Sequence, residues 1–238
     1  MKLKGFTLAE VLITLSIIGV VAALTMPKIN ANVQRRELET SFAKIVRDLE
    51  NVNQIVIGDK NAKSLAAACG IAANSAQTWD NAMAYFRTIR DYYSITPGIN
   101  PAVNYTGDGA QNLNTSANWA GYFTSKNREY GMRPLGGFGD VTGYIIFMLD
   151  INGPDKGPNR IGIDAHEMVV DMSTGEVYGF GSRATTLFSS ERKADLWTTQ
   201  CPSLPSAISS PSRGARSCAG SIMDNGNRIL YDMDSLYN

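Results

Sequence analysis

The chain has 238 residues and balances 22 Lys plus Arg against 22 Asp plus Glu, so it lacks the basic excess of a polyanion-binding protein, and its length suggests one domain or at most two. With 44 % aliphatic, aromatic and sulfur residues and 18 % charged ones, it is apolar enough to fold around a core and too apolar for wholesale disorder. Gly and Pro gather after residue 94, which places the long helices early and the turns late.

Met1 to Gly5 is a short basic leader holding Lys2 and Lys4. Phe6 to Met26 then runs 21 residues with Glu10 as its only ionisable side chain. As a helix this stretch covers about 31 Å, close to the roughly 30 Å of a bilayer's hydrocarbon core. A cleaved secretory signal ending near Val21-Ala22-Ala23 is the plain alternative, but its apolar region is usually shorter. Glu10 also argues against it, because a carboxylate in such a segment costs about 2.5 kcal/mol or more to insert and marks a functional position. The positive-inside rule keeps the leader cytoplasmic and sends the rest of the chain outward.

Gly5-Phe6-Thr7-Leu8-Ala9-Glu10-Val11-Leu12-Ile13, followed by an apolar helix and Pro27, resembles the prepilin signal of type IV pilins and type II secretion pseudopilins. The resemblance covers the first 30 residues or so. It implies cleavage between Gly5 and Phe6 by a prepilin peptidase, which also methylates the new amino terminus, and retention of the helix in the mature protein. It further implies that Glu10, about one helical turn beyond Phe6, pairs with the Phe6 amine of a neighbouring subunit. Physics agrees with that role: a buried carboxylate and a buried ammonium are each costly alone, so packing that pairs them in register is favoured over packing that does not.

The resemblance divides the chain into a leader at 1–5, a transmembrane and assembly segment at 6–27 and a periplasmic or extracellular globular region at 28–238. It implies an α+β pilin-like fold, in which a long N-terminal helix packs on a small antiparallel sheet with long loops. The periodicity fits. Ile29, Val33, Phe42, Ile45, Val46, Leu49, Val52 and Val56 recur at mostly three or four residues, a stripe that should dock on the globular region. The predicted helix runs from about Phe6 to Ile57, is kinked or loosened at Pro27 and ends at Gly58-Asp59. After an Ala-rich stretch at 62–73, Trp79, Met83, Phe86, Ile89 and Tyr93 predict a second helix, and 95–121 reads as a long irregular loop. Val141 to Leu149 predicts a central strand, and Glu167–Asp171 and Glu176–Phe180 a hairpin around Ser173-Thr174-Gly175. The tail after Gly181 is rich in Ser and Pro, with another short strand expected near Arg228–Tyr231.

Cys69, Cys201 and Cys218 lie in the part expected outside, where disulfides persist, and three pairings are open. Cys201–Cys218 is the expected one: it closes a Pro-containing loop, is worth about 3 kcal/mol in the chain-entropy view, and resembles the C-terminal disulfide loop of many pilins. Asp150, Asn152, Asp155, Asn159 and Asp164 make an oxygen-rich turn after the strongest predicted strand. A structural turn is the first reading, and a calcium site, as in major pseudopilins, the second; Pro154, Asp155 and Ile161 break the EF-hand pattern. Gly137 to Gly143 does not have dinucleotide-fingerprint spacing, and His166, the single histidine, lacks the second His of a zinc-protease helix and reads as a surface or packing residue. The expectation is a non-enzymatic subunit of a type IV pilus or type II secretion pseudopilus, with no obligate cofactor. It would be anchored once in the bacterial inner membrane and polymerised with copies of itself and other pilins, with help from an assembly ATPase and an inner-membrane platform protein. The filament would stand in the periplasm or on the cell surface. The alternative is a minor pilin-like module that binds a surface, DNA or a substrate. Nucleic acid is not otherwise indicated.

Overall fold

A computed structural model describes residues 7–97, 123–135, 138–157, 162–182 and 218–229. Among them the elements in chain order are α1 (Leu8–Asp59), α2 (Leu65–Ala68), β1 (Ala76–Gln77), α3 (Trp79–Tyr93), β2 (Ile95–Pro97), β3 (Phe123–Ser125), β4 (Gly131–Pro134), β5 (Phe138–Thr142), β6 (Tyr144–Asp150), β7 (Ala165–Asp171), β8 (Val177–Gly179) and α4 (Cys218–Asp224). The chain divides into two compact units, Met1–Glu37 and Leu38–Asn238. The second is the head.

α1 is 52 residues of continuous helix, and helical backbone runs on through residue 27. In the first unit it shows an apolar surface all round, from Leu8 at 80 % exposure to Leu24 at 70 %. The sequence stripe needs one correction: Ile29 and Val33 are also exposed, and the buried face opens at Leu38, continuing through Phe42, Ile45, Val46, Leu49, Val52 and Val56. Those side chains recur every three to four residues and so lie on one face of the helix, which the head covers.

The head's main sheet is antiparallel, in the order β2-β3-β4-β6-β7-β8. The β6–β7 register pairs Ile145 with Val170, Phe147 with Met168 and Leu149 with His166, and these six residues share the face that packs under α1 and α3. Ile146 and Val169 pair on the opposite face, in a smaller cluster with Val141 and Phe180. Both faces of β6 are covered, which is why Tyr144 to Leu149 reads as an unbroken apolar run instead of an alternation. A separate two-stranded ribbon joins β1 to β5.

α3 begins at an N-cap in which the Thr78 hydroxyl accepts the Asn81 amide, and it buries Ala82, Met83, Tyr85, Phe86 and Ile89 at helical spacing. Phe86 stacks on Phe123 at 5.1 Å between ring centroids and meets Phe147 edge-on at 5.6 Å, which fastens the helix to β3 and β6. The strand expected over Val141–Leu149 is divided at Gly143 into β5 and β6, because the Gly143 amide leaves the ladder to bond the Ser75 carbonyl. The region expected to be loop from residue 95 opens with a strand, β2; its remainder, 98–121, lies outside the described residues. The tail also contributes a helix, α4, where Ser-Pro composition suggested none, while the strand expected around Arg228–Tyr231 finds no strand at residues 228 and 229.

Candidate functional site

Two places gather the residues of interest: the start of α1 and the turn after β6. At the first, Thr7 and Glu10 form a reciprocal cap. The Glu10 carboxylate accepts the Thr7 amide at 2.8 Å and the Thr7 hydroxyl at 2.8 Å, while the Glu10 amide donates to the Thr7 hydroxyl oxygen at 3.2 Å. This is the capping box in which Thr and Glu, three residues apart, satisfy each other's orphan groups at a helix start. The spacing Thr7-Leu8-Ala9-Glu10 is its sequence signature, and it gives Glu10 a second role beside the intersubunit pairing expected of it. Thr14 and Ser16 turn their hydroxyls back to the carbonyls of Glu10 and Leu12, at 3.0 and 2.8 Å, so the few polar groups in this segment are used internally.

Beyond this cap, α1 presents apolar surface that none of the described residues covers. Its most apolar 18-residue window is wholly unburied, and the helix is long enough to cross a bilayer. Glu10, already bonded to Thr7, is the one acidic residue of this segment. Residues 1–26 match the prokaryotic N-terminal methylation motif. This motif is the prepilin signal of type IV pilins and pseudopilins, and with the apolar helix it fits a chain anchored in the membrane before assembly into a filament. No curated protein and no solved structure matches the chain. Within the methylation motif the structure describes Thr7 onward, so Gly5 and Phe6, the residues expected to flank the cleavage, lie outside the described residues, and Pro27 follows the match by one position.

The second place is the turn after β6. Asp150 and Asp164 are buried, 1 % and 0 % exposed. One Asp150 carboxylate oxygen accepts the amides of Asn152 at 3.3 Å and Gly153 at 2.9 Å, an Asx turn in which the side chain imitates a backbone carbonyl. Asn152 donates its side-chain amide to Asp164 Oδ2 and to the Gly157 carbonyl, both at 3.3 Å. Asp155 is held by Arg128, which lowers its pKa below the ordinary carboxylate value. Asn159 lies outside the described residues. Among the described residues no three His, Cys, Asp or Glu side chains group closely enough to hold a metal ion.

Cys69 is a free thiol whose pKa is raised by burial. The two pairings that use it are therefore not made. Cys218 is buried at the first residue of α4, and Cys201 lies outside the described residues. His166 is fully buried under α1, with a pKa lowered to about 4 because burial penalises the imidazolium. Of the two roles the sequence allows it, packing is the one it has.

The head also carries an open groove of about 370 Å³ between α1 and the β3–β4 hairpin. Lys44, Asp48, Lys126 and Glu129 line it with balanced charge beside Tyr93 and Tyr130, whose rings lie 5.5 Å apart. Burial raises the pKa of both phenols, so neither ionises near neutrality.

Proposed function

We propose that the chain is a structural subunit of a type IV pilus or type II secretion pseudopilus. In this reading prepilin peptidase cuts between Gly5 and Phe6 and methylates Phe6. The apolar half of α1 then holds the precursor in the inner membrane and packs laterally against the same segment of other subunits, with the head outward. The observation that carries the reading is the unburied apolar segment of α1 lying inside a methylation-motif match, with Glu10 as its one carboxylate. A surface apolar on every side has no stable place in water, and lipid or like helices are the two surroundings that suit it. Glu10 sets the register: in the assembled state it pairs with the Phe6 amine of a neighbour, and in the single chain Thr7 keeps it satisfied. The assembly ATPase and the membrane platform protein belong to this reading as external machinery.

A second reading, a minor subunit whose head recognises a surface or a substrate, is favoured by the groove beside Tyr93 and Tyr130. It is compatible with the first.

The test is the intact mass and N-terminal peptide sequence of the protein recovered from its native host, for wild type and Gly5→Ala. A methylated Phe6 terminus, lost in the variant, is the expected result. A wild-type terminus near residue 24, or an uncut Met1, rejects the assembly reading.

A further inference from the structure

The groove beside Tyr93 and Tyr130 is built from three fixed pieces. Ser41, Lys44, Ile45 and Asp48 recur at i, i+3, i+4 and i+7, so a single face of α1 forms one wall. Tyr93, the last residue of α3, is tied to that wall by its hydroxyl, which donates to the Ile45 carbonyl at 3.3 Å. The other wall is the β3–β4 turn, where the Ser125 hydroxyl oxygen accepts the amides of Glu129 at 2.9 Å and Tyr130 at 3.4 Å. A ligand finds the site already formed and does not have to order a loop. The groove's volume of about 370 Å³ is that of a small-molecule site.

The lining selects against a charged ligand. Lys44 and Lys126 stand against Asp48 and Glu129, and among the described residues none of these four side chains makes an ion pair or a hydrogen bond. An anion entering the groove would meet two carboxylates, and a cation two ammonium groups. A neutral ligand with many hydroxyls meets no such conflict. The carboxylates accept its O–H groups, while the ammonium groups and the Asn127 side-chain amide donate to its oxygens, and a hydrogen bond with one charged partner is stronger than a neutral one. Tyr93 and Tyr130 supply what a sugar needs besides hydrogen bonds. Their rings, 5.5 Å apart and tilted by 32°, are broad carbon surfaces against which the C–H face of a pyranose can rest. Burial, with the Asp48 charge added to it, raises the pKa of both phenols and keeps the rings neutral.

We propose that this groove binds a neutral oligosaccharide, with Tyr93 and Tyr130 as the stacking surface and Asp48, Glu129, Lys44 and Lys126 as hydrogen-bond partners. The inference rests on the second reading above, recognition by the head, and gives it a ligand class; it is independent of how the N-terminus is processed.

The test uses the full chain in micelles of a sugar-free detergent. Cellohexaose, chitohexaose and maltohexaose are titrated separately by calorimetry, beside trilysine and a hyaluronan hexasaccharide as charged probes. At least one neutral hexasaccharide should bind saturably, with an affinity that changes by less than about twofold between about 50 and about 500 mM salt. Tyr130→Ala should weaken it about tenfold and Tyr130→Phe leave it near wild type, because the ring and not the hydroxyl makes the contact. Lys126→Ala, an exposed change that leaves the core untouched, should weaken it about fivefold. Binding of a charged probe alone, lost at high salt, would overturn the sugar assignment and leave the recognition reading standing. Sugar binding unchanged by Tyr130→Ala and Lys126→Ala would overturn the groove as its site. Silence from all five probes would overturn the proposal together with the groove's support for the second reading.

Discussion

The ring of His166 meets Phe42 edge-on, with centroids 5.3 Å apart and planes at 80°. Nε2–H donates to the Ile163 carbonyl at 3.2 Å, and Nδ1 is buried with no hydrogen-bond partner. Adding a proton to Nδ1 would place a charge beneath α1, and the folded-state pKa is accordingly about 4 against an ordinary 6.5. The folded pKa lies below the unfolded one, so the stability tied to neutral His166 is complete above pH 6.5 and is lost as the pH falls toward 4. The total is about 3 kcal/mol, of which about 2 are gone by pH 5. Urea unfolding of wild type and His166→Phe at pH 7 and pH 5 checks this. Wild type should weaken by about 2 kcal/mol more than the variant, and parallel losses would refute the assignment.

Asn53 is a fully buried polar side chain that joins three elements. It donates to the Gly175 carbonyl at 2.8 Å and accepts from the Tyr85 hydroxyl at 3.1 Å. Asn53→Ala strands both partners and should cost about 2–4 kcal/mol, whereas Tyr85→Phe removes one donor and should cost about 1 kcal/mol. Gly175→Ala should also destabilise, because φ is 84° there and the new methyl would sit 3.1 Å from Asn53 Cβ. Chemical denaturation of the three variants gives the order.

Thr7→Val removes the hydroxyl that binds Glu10 while keeping the side chain's shape. Loss of such a cap costs about 1 kcal/mol of helix stability. Amide exchange over residues 8–11, measured in micelles, should speed up about fivefold in Thr7→Val and stay near wild type in Thr7→Ser. Equal protection in Val and Ser variants would show that the cap is not what orders the helix start.

With Cys69 free, Cys201–Cys218 is the pairing left to the chain. Mass spectrometry of a non-reduced digest should find these two peptides joined and Cys69 alkylated. Alkylation at Cys69 should be slow, since burial raises the thiol pKa and keeps it protonated. Cys218→Ser should lower stability by about 3 kcal/mol, and a Cys69-linked peptide would exclude this pairing.

The sequence was most legible where one physical signal dominated. The 3.6-residue stripe gave α1 within two residues at its C-terminal end and α3 nearly residue for residue, and the turn at Ser173-Thr174-Gly175 gave the β7–β8 hairpin. The stripe failed at Ile29 and Val33, because periodicity shows that a helix has an apolar face but not whether its own chain covers that face. Strands β2, β3 and β4 have three or four residues each, too few for an alternation to register, and α4 is a seven-residue helix in a stretch whose composition favours turns. The acidic turn showed its residue types but not its partner, since Arg128 lies 27 positions from Asp155 in sequence.

The part of α1 that crosses the head ends as a source of hydrogen bonds as well as apolar surface. Glu39 caps the Ile229 amide, Glu50 the Val177 amide, and Asn53 and Gln54 bond the carbonyls of Gly175 and Thr174. The exposed apolar segment of α1 can therefore be trimmed from a recombinant fragment, but the cut has to fall before Leu38. A fragment beginning after Asp59 would lose the donors and acceptors that finish β8 and its turn along with the helix that roofs the core, and it would aggregate instead of dissolving.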